Sequence, residues 1–297
     1  MARKIRKAVF PVAGLGTRFI PATKINPKEM LTVVDKPLIQ YATEDAVKAG
    51  ITSLIFINGR NKRAIEDHFD SVPELEQILL NKGKHKLLEK VHDIIPPNIS
   101  CINIRQKQPN GLGSAILCAM SSIGMEPFAV ILADDLVVNS DNNSMKQLTE
   151  YYAKYESNLI MVEEVARDQV SNYGIIEGEQ VEDDVWKVNR FIEKPKTTNR
   201  EKNLAAIGRY ILKPSIFNYL KKTPSGKDQE IQLTDAMSLQ LKHQPLYAVV
   251  CKGTRYDCGN KLGYLKANVA LAMKNKEIGQ EFKAYLKSLF KENSSGS

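Results

Sequence analysis

The chain has 297 residues, 43% hydrophobic and 26% charged, which suits one large α/β domain or a domain with a smaller attached lobe. No apolar run reaches the roughly 20 residues that span a bilayer, and no charged-then-apolar leader opens the sequence. A cytosolic protein without a membrane partner is expected. The net charge of +8 permits nucleic-acid binding, but acidic residues dilute the basic ones outside residues 82–90 and 261–291. Zinc-finger spacing and RNA-binding aromatic signatures are missing, so no nucleic acid is expected and attraction of small polyanions is favoured.

Residues 7–12 (KAVFPV) are a short apolar run ending in glycine-containing sequence, the mark of a buried strand. Residues 38–48 have helical apolar spacing and stop at Gly50, a natural C′ residue. A second buried strand covers 53–57, punctuated by Asn58-Gly59, and a helix is predicted over 62–69. This alternation predicts parallel β-α-β units. Residues 74–91 read as a lysine-rich helical insertion ending at Pro96-Pro97. A strand over 99–104 follows, then a helix starting at 115–120 after a Gly-Leu-Gly turn. Residues 128–132 (FAVIL) are a third buried strand, with Asp134-Asp135 at its carboxyl end.

Beyond Asn158 the texture changes. Short β segments are predicted over 159–165, 173–177, 185–192, 206–212 and 246–250, with helices over 214–220 and 233–241. Helices over 261–274 and 280–290 precede a Ser/Gly tail at 293–297. Cys101, Cys118, Cys251 and Cys258 are scattered, with neither a C-x-x-C pair nor a histidine at metal-ligand spacing. They are expected to be ordinary reduced cysteines.

The loop Ala13-Gly14-Leu15-Gly16-Thr17-Arg18 follows the first strand. It lacks the third glycine of a dinucleotide fingerprint and the lysine-serine pair of a Walker loop. What remains lets backbone N–H groups approach phosphate oxygens, and Arg18 adds a fork-shaped charge. Alone, such a loop serves a tight turn as readily as a phosphate. The segment behind it, Pro21 through Leu31, is too proline-rich for a helix yet carries Lys24, Lys28 and Glu29, which suits the lining of a substrate site.

These residues resemble a known family. Gly14-x-Gly16-Thr17-Arg18, Pro27-Lys28-Glu29-Met30-Leu31 and Lys36-Pro37-Leu38 look like the signature of nucleotide-sugar pyrophosphorylases, and in particular of the bacterial UTP–glucose-1-phosphate uridylyltransferases. The likeness continues through Arg105-Gln106, GLGSA from Gly111, LADD from Leu132, YGII from Tyr173, EKP from Glu193, GRY from Gly208, EIQLTDA from Glu230 and YDCGNKLGY from Tyr256. It implies a Rossmann-like nucleotidyltransferase fold of class α/β. A mixed, mainly parallel central sheet would be flanked by helices, with a smaller β-rich sugar-binding part and C-terminal helices. One domain over 1–297 is expected, with 1–158 mainly for the nucleotide, 159–260 mainly for the sugar phosphate, and 261–292 as the closing helices.

The resemblance also implies roles. Ala13, Gly14, Gly16, Thr17, Glu29, Gln106 and Gly111 would bind the nucleotide, and the Gln106 amide can both accept from uracil N3–H and donate to a ring carbonyl. Gly174, Glu193 and Lys194 would bind the sugar phosphate. Strand alternation would send the last two to opposite faces unless the strand ends there, as Pro195 suggests. Asp134 and Asp257 would hold Mg²⁺, with Asp135 as the adjacent alternative to Asp134. Arg18, Lys28 and Lys194 would align UTP and glucose 1-phosphate for in-line attack on the α-phosphorus, a reaction whose nucleophile is already an anion. A homodimer or homotetramer is implied, with 74–91 and the C-terminal helices as candidate contacts.

Three places depart from the commonest family pattern: Ser114, Ala133 and Asp228-Gln229. The alternatives are thymidylyl transfer from dTTP, a non-catalytic regulatory relative and, more remotely, a dinucleotide oxidoreductase.

Overall fold

The computed structural model describes residues 3–138, 143–198, 200–226 and 229–294. Asp228 of the departure noted above and residues 295–297 of the tail lie outside the described residues. The first strand, β1 (Lys7–Pro11), is apolar on both faces because both faces are covered. Its Val9 points into one core layer, while Ala8 and Phe10 point into the other.

Two short strands, β2 (Thr32–Val33) and β3 (Lys36–Pro37), form a small ribbon ahead of the helix Leu38–Lys48. That helix ends as its sequence predicts. Gly50, at φ +85, closes a Schellman turn in which Gly50 N–H donates to Val47 O (2.9 Å) and Ile51 N–H to Ala46 O (3.2 Å). Then come β4 (Ser53–Asn58), the helix Arg63–Phe69 and β5 (Ser100–Arg105). The lysine-rich insertion between them is two helices rather than one, Pro73–Asn81 and His85–His92, because Gly83 takes a left-handed φ of +64.

The helix expected after the Gly-Leu-Gly turn begins at Gly111, so both glycines lie inside its first turn, Gly111–Cys118. Two further strands, β6 (Phe128–Ile131) and β7 (Asp135–Val138), flank the two aspartates. A helix over Ser144–Tyr155, which the sequence reading leaves out, leads to β8 (Asn158–Ala166). The second half supplies β9 (Gly174–Glu182), β10 (Val185–Glu193), β11 (Lys202–Leu212), β12 (Leu246–Val250) and β13 (Thr254–Asp257). Helices Leu233–Leu241, Lys261–Lys274 and Gly279–Ser294 match the expected positions within a few residues.

Among the described residues nine strands form one sheet in the order β5-β4-β1-β6-β11-β8-β12-β10-β9. The first four are mutually parallel, β11 runs antiparallel to β6 and β8, and β8 pairs with β12 in parallel. The strands of the second half therefore extend the nucleotide-side sheet. They also close on themselves, because β9 returns to β11 at Leu204↔Ile176 and Ala205↔Ile175. That closure carries Gly174 and Glu193, paired at the ends of β9 and β10, to the edge of the cleft above β6.

Candidate active site

The carboxyl ends of parallel strands are where open α/β sheets bind ligands, and several of the predicted site residues gather there. Ala13 and Gly14 follow β1, Gln106 follows β5, and Asp134 follows β6. These four line one cleft together with Lys28, Gly111, Leu112, Glu230 and Gln232. The floor is tightly fixed. Gln106 N–H donates to Asn58 O (2.8 Å) and Val12 N–H to Ile57 O (3.1 Å), tying the three loops to one another. Gln106 is 5% exposed, and its Nε2 donates to Ser114 Oγ (3.2 Å), so the departure at Ser114 supplies a partner for the glutamine.

The glycines of the helix Gly111–Cys118 have a contact reason. Gly113 N–H donates to Ile231 O (2.8 Å), and Ile231 N–H donates to Asn110 O (2.9 Å). A Cβ on Gly111 would stand 2.8 Å from Glu230 Cβ, and one on Gly113 would stand 2.8 Å from Ile231 O. The GLGSA and EIQLTDA motifs are thus two halves of one packed joint.

Lys28 stands at the centre. Its side chain lies along the glycine loop: a Cβ on Gly16 would meet Lys28 Cβ at 3.2 Å, and one on Gly14 would meet its Cε at 3.9 Å. Its Nζ donates to Asp134 Oδ2 at 2.6 Å. Burial opposes the lysine charge, but the Asp134 and Glu29 carboxylates outweigh it and raise the ammonium above its ordinary pKa. Burial likewise opposes the Asp134 charge, and Lys28 overcomes it, holding that carboxyl below its ordinary value.

Asp134 and Asp257 converge because β13 pairs with β7, with Asp257 opposite Asp135. A Cβ on Gly259 would lie 2.9 Å from Asp134 Oδ2 and 3.0 Å from Asp257 Oδ1, so both carboxylates face one small space. Asp135 is otherwise occupied. It accepts from the Gly208 amide (2.7 Å) and from Arg255 Nε (2.5 Å). Burial raises its pKa, with Asp134 and Asp257 adding and Arg255 opposing. Among the described residues no set of three or more His, Cys, Asp or Glu is gathered as a metal site. Two converging hard-oxygen carboxylates nevertheless fit magnesium, which commonly takes one or two carboxylates and fills its shell with water and phosphate oxygens.

A second cleft adjoins the first and shares Leu112, Leu132, Asp134 and Gln232 with it. It is lined by Gly174, Glu193, Lys194, Arg18 and Asp257, with Tyr173, Tyr210, Thr234 and Arg255 beside them. The strand does end at Glu193. Lys194 adopts φ +42, a left-handed conformation that breaks the alternation and sets both side chains along one cleft, with Lys194 Nζ 3.4 Å from Glu193 Oε1. Arg18 Nη1 donates to Gly259 O (3.4 Å), bridging the loop to the second aspartate.

Three predicted residues sit outside both clefts. Gly16 (φ +66) and Thr17 shape the loop's turn, and Glu29, 1% exposed, lies beneath it with Lys62 Nζ on its Oε2 (2.7 Å). Burial raises the Glu29 pKa against the pull of Lys62 and Lys28.

The sequence reading assigns no role to two arginines that support the site. Arg255 bonds Asp135 and Glu163 and stacks 5.0 Å over the Tyr173 ring. Arg209, fully buried, donates to Leu132 O (3.0 Å), Asp135 O (2.9 Å) and Asp45 Oδ2 (2.8 Å). Its guanidinium thereby clamps the turn that carries Asp134 from both sides.

Known proteins resemble the chain over most of its length. The nucleotidyl transferase family pattern matches residues 7–274. The UTP–glucose-1-phosphate uridylyltransferase of Staphylococcus epidermidis is 48% identical over 288 residues, 97% of this chain and 99% of that protein. A UTP-bound UGPase from Acinetobacter baumannii superposes with a TM-score of 0.90 at 41% identity, covering 96% of this chain and 99% of its own. A UDP-glucose pyrophosphorylase complexed with UDP-glucose gives 0.84 at 47% identity, covering 91% of this chain and all of its own (100%). The chain belongs to the nucleotidyl transferase family and, within it, to the UTP–glucose-1-phosphate uridylyltransferases.

Proposed function

We propose that the chain transfers the uridylyl group of UTP to glucose 1-phosphate, yielding UDP-glucose and pyrophosphate. The observation that carries this reading is the pair of adjoining clefts sharing Asp134, one lined by the glycine loop and Gln106, the other by Glu193 and Lys194. A nucleotide in the first and a sugar phosphate in the second would bring the attacking phosphate oxygen beside the α-phosphorus. Both substrates are anions, so the task is alignment and neutralisation rather than proton abstraction. Ala13, Gly14, Gly111 and Gln106 would seat the nucleotide. Arg18 and Lys28 would hold the phosphates and steady the departing pyrophosphate, while Gly174, Glu193 and Lys194 would orient the sugar phosphate. Mg²⁺ bound to Asp134 and Asp257 would supply further neutralisation of phosphate charge.

Gly16, Thr17 and Glu29 act on this reading through the loop they brace. The nucleotide side would lie mainly within 1–158, joined by Glu230 and Gln232, and the sugar-phosphate side mainly within 159–260, joined by Arg18 and Asp134. The apolar face of Phe19, Ile20, Pro21, Tyr264 and Leu265, and the exposed Leu75, Ile78, Leu80 and Leu87 of the 74–91 insertion, support self-assembly into a homodimer or homotetramer. Among the described residues no helix is long and apolar enough to cross a membrane.

The decisive assay is magnesium-dependent pyrophosphate release across a matrix of nucleoside triphosphates and sugar 1-phosphates. UTP with glucose 1-phosphate is expected to give the highest kcat/KM, and a preference for dTTP would replace this reading by thymidylyl transfer. Gly259→Ala offers a second check. The new methyl would push on both Asp134 and Asp257, so turnover should fall about tenfold, in line with the cost of displacing reacting groups by a fraction of an ångström. Unaltered turnover would remove the two aspartates from the mechanism.

A further inference from the structure

We propose that Lys28 is an exchangeable cap on Asp134: it occupies the carboxylate while the cleft lacks nucleotide and passes to the triphosphate when UTP arrives, so that a divalent ion binds only together with the nucleotide. This deepens the uridylyltransferase reading and rests on it, taking Asp134 and Asp257 as the metal ligands.

Asp134 Oδ2 accepts from Lys28 Nζ at 2.6 Å, and the same oxygen faces the small space shared with Asp257 Oδ1. An ammonium and a divalent ion therefore compete for one ligand atom. Among the described residues no other cation competes in this way. Arg18 Nη1 is on the Gly259 carbonyl, and Arg255 comes no nearer to Asp257 Oδ2 than 3.8 Å. Among the described residues Lys28 bonds Asp134 and no second carboxylate; the Lys62 ammonium takes Glu29 Oε2.

The exchange is sterically available. The Lys28 stem lies over Gly14 and Gly16, the loop expected to meet the phosphates, and its four-carbon stem has rotatable staggered torsions. The head can thus swing from carboxylate to phosphate without moving the backbone. In the cleft without nucleotide, a metal ion would have to break an ion pair and shed tightly held water. A polyanionic triphosphate changes that balance, because it offers Lys28 another partner and brings its own oxygens to the metal.

Mn²⁺ serves as the probe, its binding followed by electron paramagnetic resonance on the whole chain without nucleotide. Wild type should bind Mn²⁺ weakly, and Lys28→Met should bind it at least about tenfold more tightly, a gain equivalent to some 1.4 kcal/mol. Lys28→Arg should stay as weak as wild type, since it keeps the competing charge. Lys28→Gln, a second neutral variant, should follow Lys28→Met. Melting curves identify folded variants. Equal Mn²⁺ affinity in wild type and both neutral variants overturns the exchange while leaving the uridylyltransferase reading intact. Tight Mn²⁺ binding that survives Asp134→Asn in the Lys28→Met chain overturns the ligand assignment itself. UTP turnover of the same wild-type preparation reports separately on the parent reading.

Discussion

Lys28→Ala is expected to lower the turnover of UTP with glucose 1-phosphate by about 10²- to 10³-fold, the usual cost of removing one preorganised charge from a reacting centre. The melting temperature should hardly change. Lys28 is a quarter exposed, with a side-chain exposure of 26%, and removing it leaves Asp134 (24% exposed) able to recruit water. The loss should fall mainly on kcat, because charge builds on the departing pyrophosphate only as the bond breaks. Lys28→Arg retains the charge but differs in reach and head shape, so it should recover part of the rate and not all of it. Steady-state kinetics on both variants decides the point. Turnover of Lys28→Ala equal to wild type would remove Lys28 from the chemistry and leave Arg18 as the phosphate-holding group.

Much of the fold is legible in local sequence, because the elements with strong periodicity carry their own instructions. The helix Leu38–Lys48 has apolar spacing and a glycine stop, and β1, β4 and β6 are uninterrupted apolar runs. The helix Ser144–Tyr155 escapes that reading for a physical reason. Its buried face includes Ser144 and Gln147, which bond Asp45 and the Val250 carbonyl, so the apolar stripe is diluted by polar residues satisfied from far away. Its N-cap signal was nonetheless present, as Asn143 Oδ1 accepts from Lys146 N–H (2.6 Å).

The site divides along the same line. Residues in dense motifs (the glycine loop, the Lys28 segment, Glu193-Lys194) are visible in sequence and line the clefts, apart from Gly16, Thr17 and Glu29. Their supports are not visible. The start of the helix at Gly111 depends on Ile231, and Arg255 matters through Asp135 and Glu163, all more than ninety residues away. No local pattern encodes a partner at that separation.

Arg209 is the extreme case, and its loss should be the most damaging to the fold. Arg209→Ala is expected to destabilise the chain by about 3–5 kcal/mol, the range for breaking a buried ion pair from one side. For a chain of this length that corresponds to a fall of roughly 5–8 °C in Tm, read by calorimetry. The reason is what remains: Asp45, with a side-chain exposure of 9%, loses its guanidinium partner. A double substitution separates two accounts of the damage. If the Arg209–Asp45 pair were the whole story, Arg209→Met with Asp45→Leu should recover most of the stability, because buried pairs exchanged for apolar residues are often neutral. The structure predicts otherwise. The carbonyls of Leu132, Gly208 and Asp135 would still lose the donors that Arg209 supplies, leaving Gly208 O with the Leu132 N–H (2.9 Å) and Leu132 O with the longer Asp135 N–H (3.3 Å). Since two of those carbonyls bracket Asp134, the double variant should also lose turnover at temperatures where it stays folded. Full recovery of both Tm and turnover would reduce Arg209 to a partner for Asp45; recovery of neither makes it the clamp on which the reactive aspartate is mounted.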